Sequence, residues 1–161
     1  MSEKSKVIES LLKYGLTVSA AESCTGGMVS AAFTDFPGIS SVFMEGVVTY
    51  ANEAKMRLGV NADTLKAYGA VSHETAGEMA ACVRERAGTD FGISTTGIAG
   101  PDGGTPKKPV GLVYVGIASS SGVKTYALRL RGDRAEVRRK TVQAVFHFLN
   151  KELEAYYHGK N

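Results

Sequence analysis

The segment after the first buried run carries two side chains that could act as nucleophiles. Ser23 and Cys24 stand side by side and are followed by Thr25, Gly26 and Gly27. The pattern indicates a strand that ends before a helix, and ligands favour the carboxyl ends of strands in open α/β sheets. Free N–H groups near a helix start, made accessible by two glycines, can hold an oxyanion or a phosphate. Helix capping and close packing explain the same residues equally well.

A tyrosine and a lysine at the next strand-to-helix junction could supply a base. Tyr50 is expected to end a strand, and Lys55 to lie in the first turns of a helix with Asn52 as its N-cap. A lysine acts as a general base when its pKa falls from about 10.4 toward neutrality, and both burial and a helix N-terminus act in that direction. In the alternative interpretation, Tyr50 packs at the sheet edge and Lys55 is a solvated surface residue.

A glycine-rich loop and a pair of arginines are candidates for binding an anion. The loop covers residues 96–109 and includes Thr96, Gly97 and Gly100. Its N–H groups could hold a phosphate or an oxyanion, unless it is an ordinary surface loop. Arg134 and Arg138 are four residues apart, so they share a helix face near its start and could clamp a phosphate. Pairing of Arg138 with a nearby carboxylate is the alternative.

Helices and strands that alternate along the chain must position these candidates. The sequence pattern predicts helices at 3–14, up to about 33, 52–58, up to 68, 72–87 and from 133 onward, and strands at 16–21, 42–50, 91–95, 110–118 and 123–130. The last two strands are predicted to form an antiparallel hairpin. This alternation indicates one α/β domain over residues 1–161 with a mixed sheet. The strand order stays open.

Composition and charge argue against several classes of protein. The chain has 161 residues, of which 43% are hydrophobic and 22% charged, values that are unlike those of disordered, collagenous or coiled-coil chains. No run of eighteen apolar residues predicts a membrane span, and a net charge of +3 is too small to indicate nucleic acid. The two cysteines and three histidines lack metal-ligand spacing, so no metal site is expected. No cofactor is expected either. The N-terminal residues lack a signal-peptide pattern, and a cytoplasmic location is expected.

Four ordered motifs resemble those of a known family. They are AESCTGG at 21–27, TYANEAK at 49–55, GAVS at 69–72 and GIAGPDGG at 97–104, followed by KPVG at 108–111 and GDR at 132–134. The sequence is similar, over about residues 5–155, to the CinA C-terminal domain family of nicotinamide-nucleotide amidohydrolases. The resemblance implies a three-layer α/β/α sandwich and no metal. It also implies hydrolysis of the carboxamide of nicotinamide mononucleotide to nicotinate mononucleotide and ammonia.

The resemblance further implies roles for individual residues. Ser23 matches the nucleophilic serine of the family, and Tyr50 and Lys55 match its tyrosine and lysine partners. Lys55 is expected to take the serine proton directly or through the Tyr50 hydroxyl, and Tyr50 to carry that proton or to fix the geometry of the amine. For this chemistry we expect oxyanion and substrate contacts from the residues of the first turn, the glycine loop and the arginine pair. These are Thr25, Gly26, Gly27, Thr96, Gly97, Gly100, Arg134 and Arg138.

Two other functions are possible for the same residues. One rival is a cysteine amidase that uses Cys24. The other is a non-catalytic nucleotide-binding or regulatory module, because some members of the family are tied by name to competence and DNA damage. The expected partners are a small-molecule nucleotide and a second copy of the chain in a dimer, which could supply Arg134 and Arg138 to its neighbour. Nucleic acid and membrane are not expected as partners.

Overall fold

The computed structural model describes residues 1–159, in which helices cover both faces of a five-stranded sheet. The helices are α1 (Glu3–Tyr14), α2 (Met28–Thr34), α3 (Asn52–Leu58), α4 (Ala62–Tyr68), α5 (His73–Ala87) and α6 (Arg134–His158), with a short 3-10 turn at Ile39–Ser41. The strands are β1 (Val18–Glu22), β2 (Phe43–Val48), β3 (Phe91–Gly97), β4 (Leu112–Ser119) and β5 (Gly122–Arg129). The predicted α/β/α sandwich with a mixed sheet is confirmed.

The strand order brings the candidate segments to one edge of the sheet. The order is β2-β1-β3-β4-β5, in which β2, β1 and β3 are parallel, β4 is antiparallel to β3, and β5 is antiparallel to β4 and so runs in the direction of β3. Glu22, at the end of β1, pairs with Val48 of β2 and with Thr95 of β3. The carboxyl ends of the three parallel strands therefore meet at one edge, which we call the site edge. The α6 helix also starts there, because it follows the end of β5.

Two apolar layers fix the helices to the sheet. β1 lies between two parallel neighbours, and all five of its residues are buried, as expected for a central parallel strand. Ala20 packs into the larger core with α1, α2 and α6, whereas Ala21 faces the smaller core with Met79 and Val83 of α5. Within residues 1–159, no helix has both the length and the apolar character needed to cross a membrane.

Most helix boundaries follow the predicted local signals. The side chains of Ser72 and Asp133 accept backbone N–H groups at the starts of α5 and α6, as predicted. The prediction for α3 is wrong by one residue: Ala51 is its N-cap and Asn52 is already helical. The reason is that the Ala51 carbonyl accepts the N–H of Lys55 and so begins the helical bonding.

Candidate active site

The side chains of Ser23 and Lys55 meet at the site edge. Lys55 Nζ lies 3.1 Å from Ser23 Oγ, although the two residues are 32 positions apart in the chain. Ser23 follows β1 directly, and its N–H donates to the carbonyl of Thr95 on β3 at 2.9 Å. Lys55 is the fourth residue of α3 and is only 1% exposed. The fold therefore places the predicted nucleophile and the predicted base in contact.

Two backbone carbonyls orient the amine of Lys55. Nζ donates to the carbonyl oxygens of Thr49 at 2.8 Å and of Tyr50 at 2.9 Å. A neutral amine has two N–H bonds and one lone pair. When both N–H bonds point at these carbonyls, the lone pair is left to face Ser23 Oγ. The same three contacts also suit an ammonium, which has three N–H donors. The arrangement therefore accommodates both states of a base that takes a proton from Ser23.

Burial favours the neutral form of Lys55. Burial lowers the pKa of the amine below its ordinary value, and only the negative charge of a Cys24 thiolate would act in the opposite direction. Lys55 forms no ion pair with any carboxylate in the described part of the chain. The sequence interpretation included the helix N-terminus as a cause, whereas the cause in the structure is desolvation. An amine without a counter-charge is what a neutral base requires.

Cys24 has an environment that disfavours its reaction. The residue is 5% exposed and packs in a small apolar cluster with Ala99, Val113 and Val137. Burial raises the pKa of its thiol to about 12. Because the thiolate is the nucleophilic form of cysteine, this environment disfavours the interpretation of Cys24 as the nucleophile.

Tyr50 contacts Lys55 through its backbone. Its carbonyl accepts a hydrogen bond from Lys55 Nζ, whereas its hydroxyl accepts a hydrogen bond from Arg134 Nη2 at 3.0 Å. The side chain is 58% exposed at the rim of the site. The idea that the Tyr50 hydroxyl relays the serine proton therefore has no support in this geometry. The idea that Tyr50 fixes the geometry of the amine is consistent with it, through the carbonyl.

The turn after Ser23 offers two backbone donors. Gly26 and Gly27 have φ angles of 55° and 104°, a left-handed conformation that suits glycine. The N–H of Gly26 donates to the carbonyl of Ser23 at 3.0 Å, which leaves it unavailable to an oxyanion. The N–H groups of Thr25 and Gly27 have no acceptor within residues 1–159. Of the three predicted oxyanion donors, these two are available.

Sequence reasoning gave no role to Glu22, which anchors this turn. Its carboxylate is 1% exposed and accepts the Thr25 hydroxyl, the N–H of Val29 at 2.8 Å and the N–H and hydroxyl of Ser30 at 2.9 and 2.7 Å. It thus ties the turn to the start of α2. The signal in the sequence was an acidic residue that closes an otherwise uncharged strand shortly before a helix, where carboxylates are stabilised.

The two arginines have different contacts. Arg138 donates from Nε to the Cys24 carbonyl at 3.1 Å and from Nη2 to the Thr25 carbonyl at 3.3 Å. Its guanidinium therefore holds the turn, and the predicted phosphate clamp is not supported at this residue. Arg134 is exposed and bridges the Gly100 carbonyl, at 2.8 Å, to the Tyr50 hydroxyl.

The glycine loop contacts Arg134 at the rim of the site and is fixed at several points. The Thr96 hydroxyl donates to the carbonyl of Ala70 at 2.8 Å, so it is already engaged. Gly97 is the last residue of β3, where it pairs with β4. Gly100 has a φ of 82° and turns its carbonyl toward Arg134. Lys108 Nζ donates to the carbonyl of Tyr68 and so ties the loop to the end of α4.

Comparisons with known proteins find relatives that match most of this chain. A sequence model of the CinA C-terminal domain matches residues 2–153. A protein of Clostridium acetobutylicum is 56% identical over 144 residues, which are 89% of this chain and 35% of that protein. A CinA-like protein of Kosmotoga olearia is 51% identical over 148 residues, 91% of this chain and 36% of its own length. This chain thus spans about a third of the curated relatives it matches.

Solved structures of similar length share the fold. The competence/damage inducible protein CihA from Agrobacterium tumefaciens is 41% identical, with a TM-score of 0.90 over 94% of this chain and 93% of that one. A CinA superfamily protein from Klebsiella pneumoniae is 32% identical, with a TM-score of 0.91 over 95% of this chain and 96% of that one. Both the sequence relationship and the fold therefore extend over nearly the whole chain.

Proposed function

The chain belongs to the CinA C-terminal domain family, and we propose that it hydrolyses the carboxamide of nicotinamide mononucleotide to nicotinate mononucleotide and ammonia, in the recycling of pyridine nucleotides. The observation that carries the proposal is the 3.1 Å contact between Ser23 Oγ and a buried Lys55 whose pKa is lowered. Ser23 is the proposed nucleophile and Lys55 the proposed base. The choice of this substrate rests on the family resemblance.

In the acylation step, the lone pair of Lys55 Nζ takes the proton of Ser23 while Oγ bonds to the carboxamide carbon. The carbonyl oxygen becomes an oxyanion, which the N–H groups of Thr25 and Gly27 stabilise. When the intermediate collapses, the C–N bond breaks, and the Lys55 ammonium gives its proton to the departing nitrogen, which leaves as ammonia. The product of this step is an ester of Ser23 and a neutral Lys55.

In the second step, a water molecule attacks the ester. Lys55 takes a proton from the water, and the hydroxyl oxygen bonds to the acyl carbon. The second intermediate collapses, the bond to Ser23 Oγ breaks, and Lys55 returns the proton to Oγ. Nicotinate mononucleotide leaves and the site regains its first state. The nucleophile, the base and the oxyanion donors of this scheme are all groups of the chain itself.

Residues at the rim of the site are the proposed contacts of the pyridinium ring and of the 5′-phosphate. The pyridinium ring is cationic, which makes the carboxamide carbon more electrophilic and favours a neutral Lys55. The exposed ring of Tyr50 can stack on it with a cation–π component. Arg134 is the proposed contact of the 5′-phosphate, because its side chain is exposed at the same rim. We also propose that the protein acts as a homodimer, which light scattering of the purified chain would test.

Measuring the release of ammonia from nicotinamide mononucleotide tests the proposed function. The purified chain is incubated with nicotinamide mononucleotide, and ammonia and nicotinate mononucleotide are measured together. The proposal expects both in equal amounts and neither with Ser23→Ala. The second candidate, a regulatory nucleotide-binding module, is favoured by the names that relate solved structures of the family to competence and damage. Binding of the mononucleotide without either product would support that module.

A further inference from the structure

One buried hydroxyl beside the reacting groups has no hydrogen-bond partner. Thr49 is 5% exposed, and its Oγ1 is the only buried side-chain oxygen or nitrogen in residues 1–159 without a partner. Its backbone is fully engaged, since its N–H donates to the Glu22 carbonyl at 2.8 Å and its carbonyl accepts Lys55 Nζ. Burying a hydroxyl without a partner destabilises a fold. Such an atom calls for a partner that the free protein lacks.

The sheet register places this hydroxyl beside the nucleophile. Glu22 pairs with Val48 and Thr95, and the bonds from Thr49 N–H to Glu22 and from Ser23 N–H to Thr95 continue the ladder. The next row across the three strands is therefore Thr49, Ser23 and Thr96, with neighbours about 4.8 Å apart. Alternation puts this row on the α3–α5 face of the sheet, the face of Lys55.

The other threonine hydroxyls around Ser23 are already engaged. Those of Thr25 and Thr95 hydrogen-bond to each other at 2.8 Å, and Thr25 also donates to Glu22. That of Thr96 donates to Ala70. Among the described residues of this row, Thr49 is therefore the threonine whose hydroxyl has no hydrogen-bond partner. It is also the residue whose carbonyl binds Lys55 Nζ.

We propose that the Thr49 hydroxyl contacts the carboxamide nitrogen as it leaves, an inference that rests on the proposed amidohydrolase function. In the tetrahedral intermediate, this nitrogen has two N–H bonds and a lone pair. An N–H donated to Thr49 Oγ1 turns the lone pair toward the Lys55 ammonium, which must protonate it. The C–N bond then breaks, its electrons stay on the nitrogen, and ammonia departs. Thr49 is thus a specificity residue for amides that still carry an N–H.

The test compares Thr49→Val, which keeps the shape and removes the hydroxyl, with Thr49→Ser, which restores it. Thr49→Val should lower kcat/KM for the mononucleotide roughly tenfold, the loss of one hydrogen bond in the transition state, and Thr49→Ser should recover most of it. Thr49→Val should also raise Tm by about 2–4 °C, because it removes an unpaired buried polar atom.

The matched control is Thr89→Val, two residues before β3 and so at the end of that strand away from the site edge. Thr89 is also 5% exposed, but its hydroxyl is bonded to Ser19 and to the carbonyl of Phe91. This variant should lower Tm and leave kcat/KM unchanged. A Thr49→Val protein with wild-type kcat/KM, or with a lowered Tm, would overturn the inference while wild-type ammonia release upholds the proposed function. A wild-type protein that releases no ammonia would overturn both.

Discussion

At the scale of single residues, Ser23 and Cys24 are neighbours with opposite chemical settings. Ser23 Oγ contacts an amine that can take its proton, whereas burial raises the pKa of the Cys24 thiol to about 12. Ser23→Ala should therefore reduce ammonia release by several powers of ten, as expected when a nucleophile is lost. Cys24→Ala should retain most of the activity. An inactive Cys24→Ala together with an active Ser23→Ala would reverse the assignment.

The pH dependence of the reaction depends on Lys55. Its pKa is lowered by burial, and the reactive form is the neutral amine. As pH rises, the ammonium loses its proton, so kcat/KM should increase through one ionisation and level off below the ordinary lysine value of about 10.4. A pH profile of ammonia release measures this. A profile that is flat, or that falls over that range, would argue against a lysine base.

The Lys55→Arg variant tests whether Lys55 acts as a proton acceptor or only as a positive charge. A guanidinium keeps its proton at any of these pH values, so Lys55→Arg should be as inactive as Lys55→Ala. Near-full activity of Lys55→Arg would mean that Lys55 serves only through its positive charge.

Arg134 and Arg138 lie one helical turn apart and should give different kinetic defects. Arg138 binds the carbonyls of Cys24 and Thr25. A trans peptide has its N–H opposite to its C=O, so Arg138 fixes the direction of the Thr25 N–H. Arg138→Ala should thus lower kcat about tenfold or more with little change in KM.

Arg134→Ala should instead raise KM for the mononucleotide, because Arg134 is the proposed contact of the phosphate. The same variant should raise KM for the phosphate-free nucleoside much less. A KM defect in Arg138→Ala together with a kcat defect in Arg134→Ala would mean that Arg138 contacts the phosphate and that Arg134 orients the turn.

At the scale of elements, α5 packs against the sheet at two glycines. A Cβ at Gly92 of β3 would collide with the carbonyl of Ala80, and one at Gly116 of β4 would lie 2.5 Å from the carbonyl of Ala76. Gly92→Ala should destabilise the fold by about 1–3 kcal/mol in urea unfolding, because rigid backbone must move. Gly77→Ala on α5 itself is the control. Its Cβ would meet side chains at 3.4 Å, and alanine favours a helix, so its stability should be unchanged or higher.

The elements were predictable where a local signal decides them. Ser72 and Asp133 carry N-cap side chains, and alternating hydrophobic residues mark the β4–β5 hairpin. The strand order was not predictable, because parallel β1, β2 and β3 are joined by distant crossovers that leave no local trace. For the same reason, the contact between Ser23 and Lys55 was expected only through the family resemblance.

Other features of the site depended on side-chain direction, which the sequence does not encode locally. Arg138 and Arg134 share a helix face, yet one binds the turn and the other the rim. For Tyr50, a proton relay through the hydroxyl and a role in fixing the amine of Lys55 were both open, and its carbonyl is the group that contacts Lys55. The buried position of Glu22 and the unpartnered hydroxyl of Thr49 arise from the sheet register and from the start of α2.

At the scale of the whole molecule, binding and turnover can be separated by stability. A ligand that binds only the folded state stabilises it by about 2.7 kcal/mol at one hundred times its Kd, which corresponds to a Tm increase of roughly 5–10 °C. Nicotinamide mononucleotide should produce this shift with Ser23→Ala, which binds without turnover, and Arg134→Ala should reduce it. Thermal unfolding with and without the mononucleotide measures both shifts, and nicotinamide riboside, which lacks the phosphate, is the control. No shift with Ser23→Ala would mean that this site does not bind the mononucleotide. A shift with wild-type protein that releases no ammonia would identify a binding module, because the mononucleotide would then bind without being hydrolysed. Turnover is the expected outcome, because a site that only binds does not need a buried amine facing Ser23.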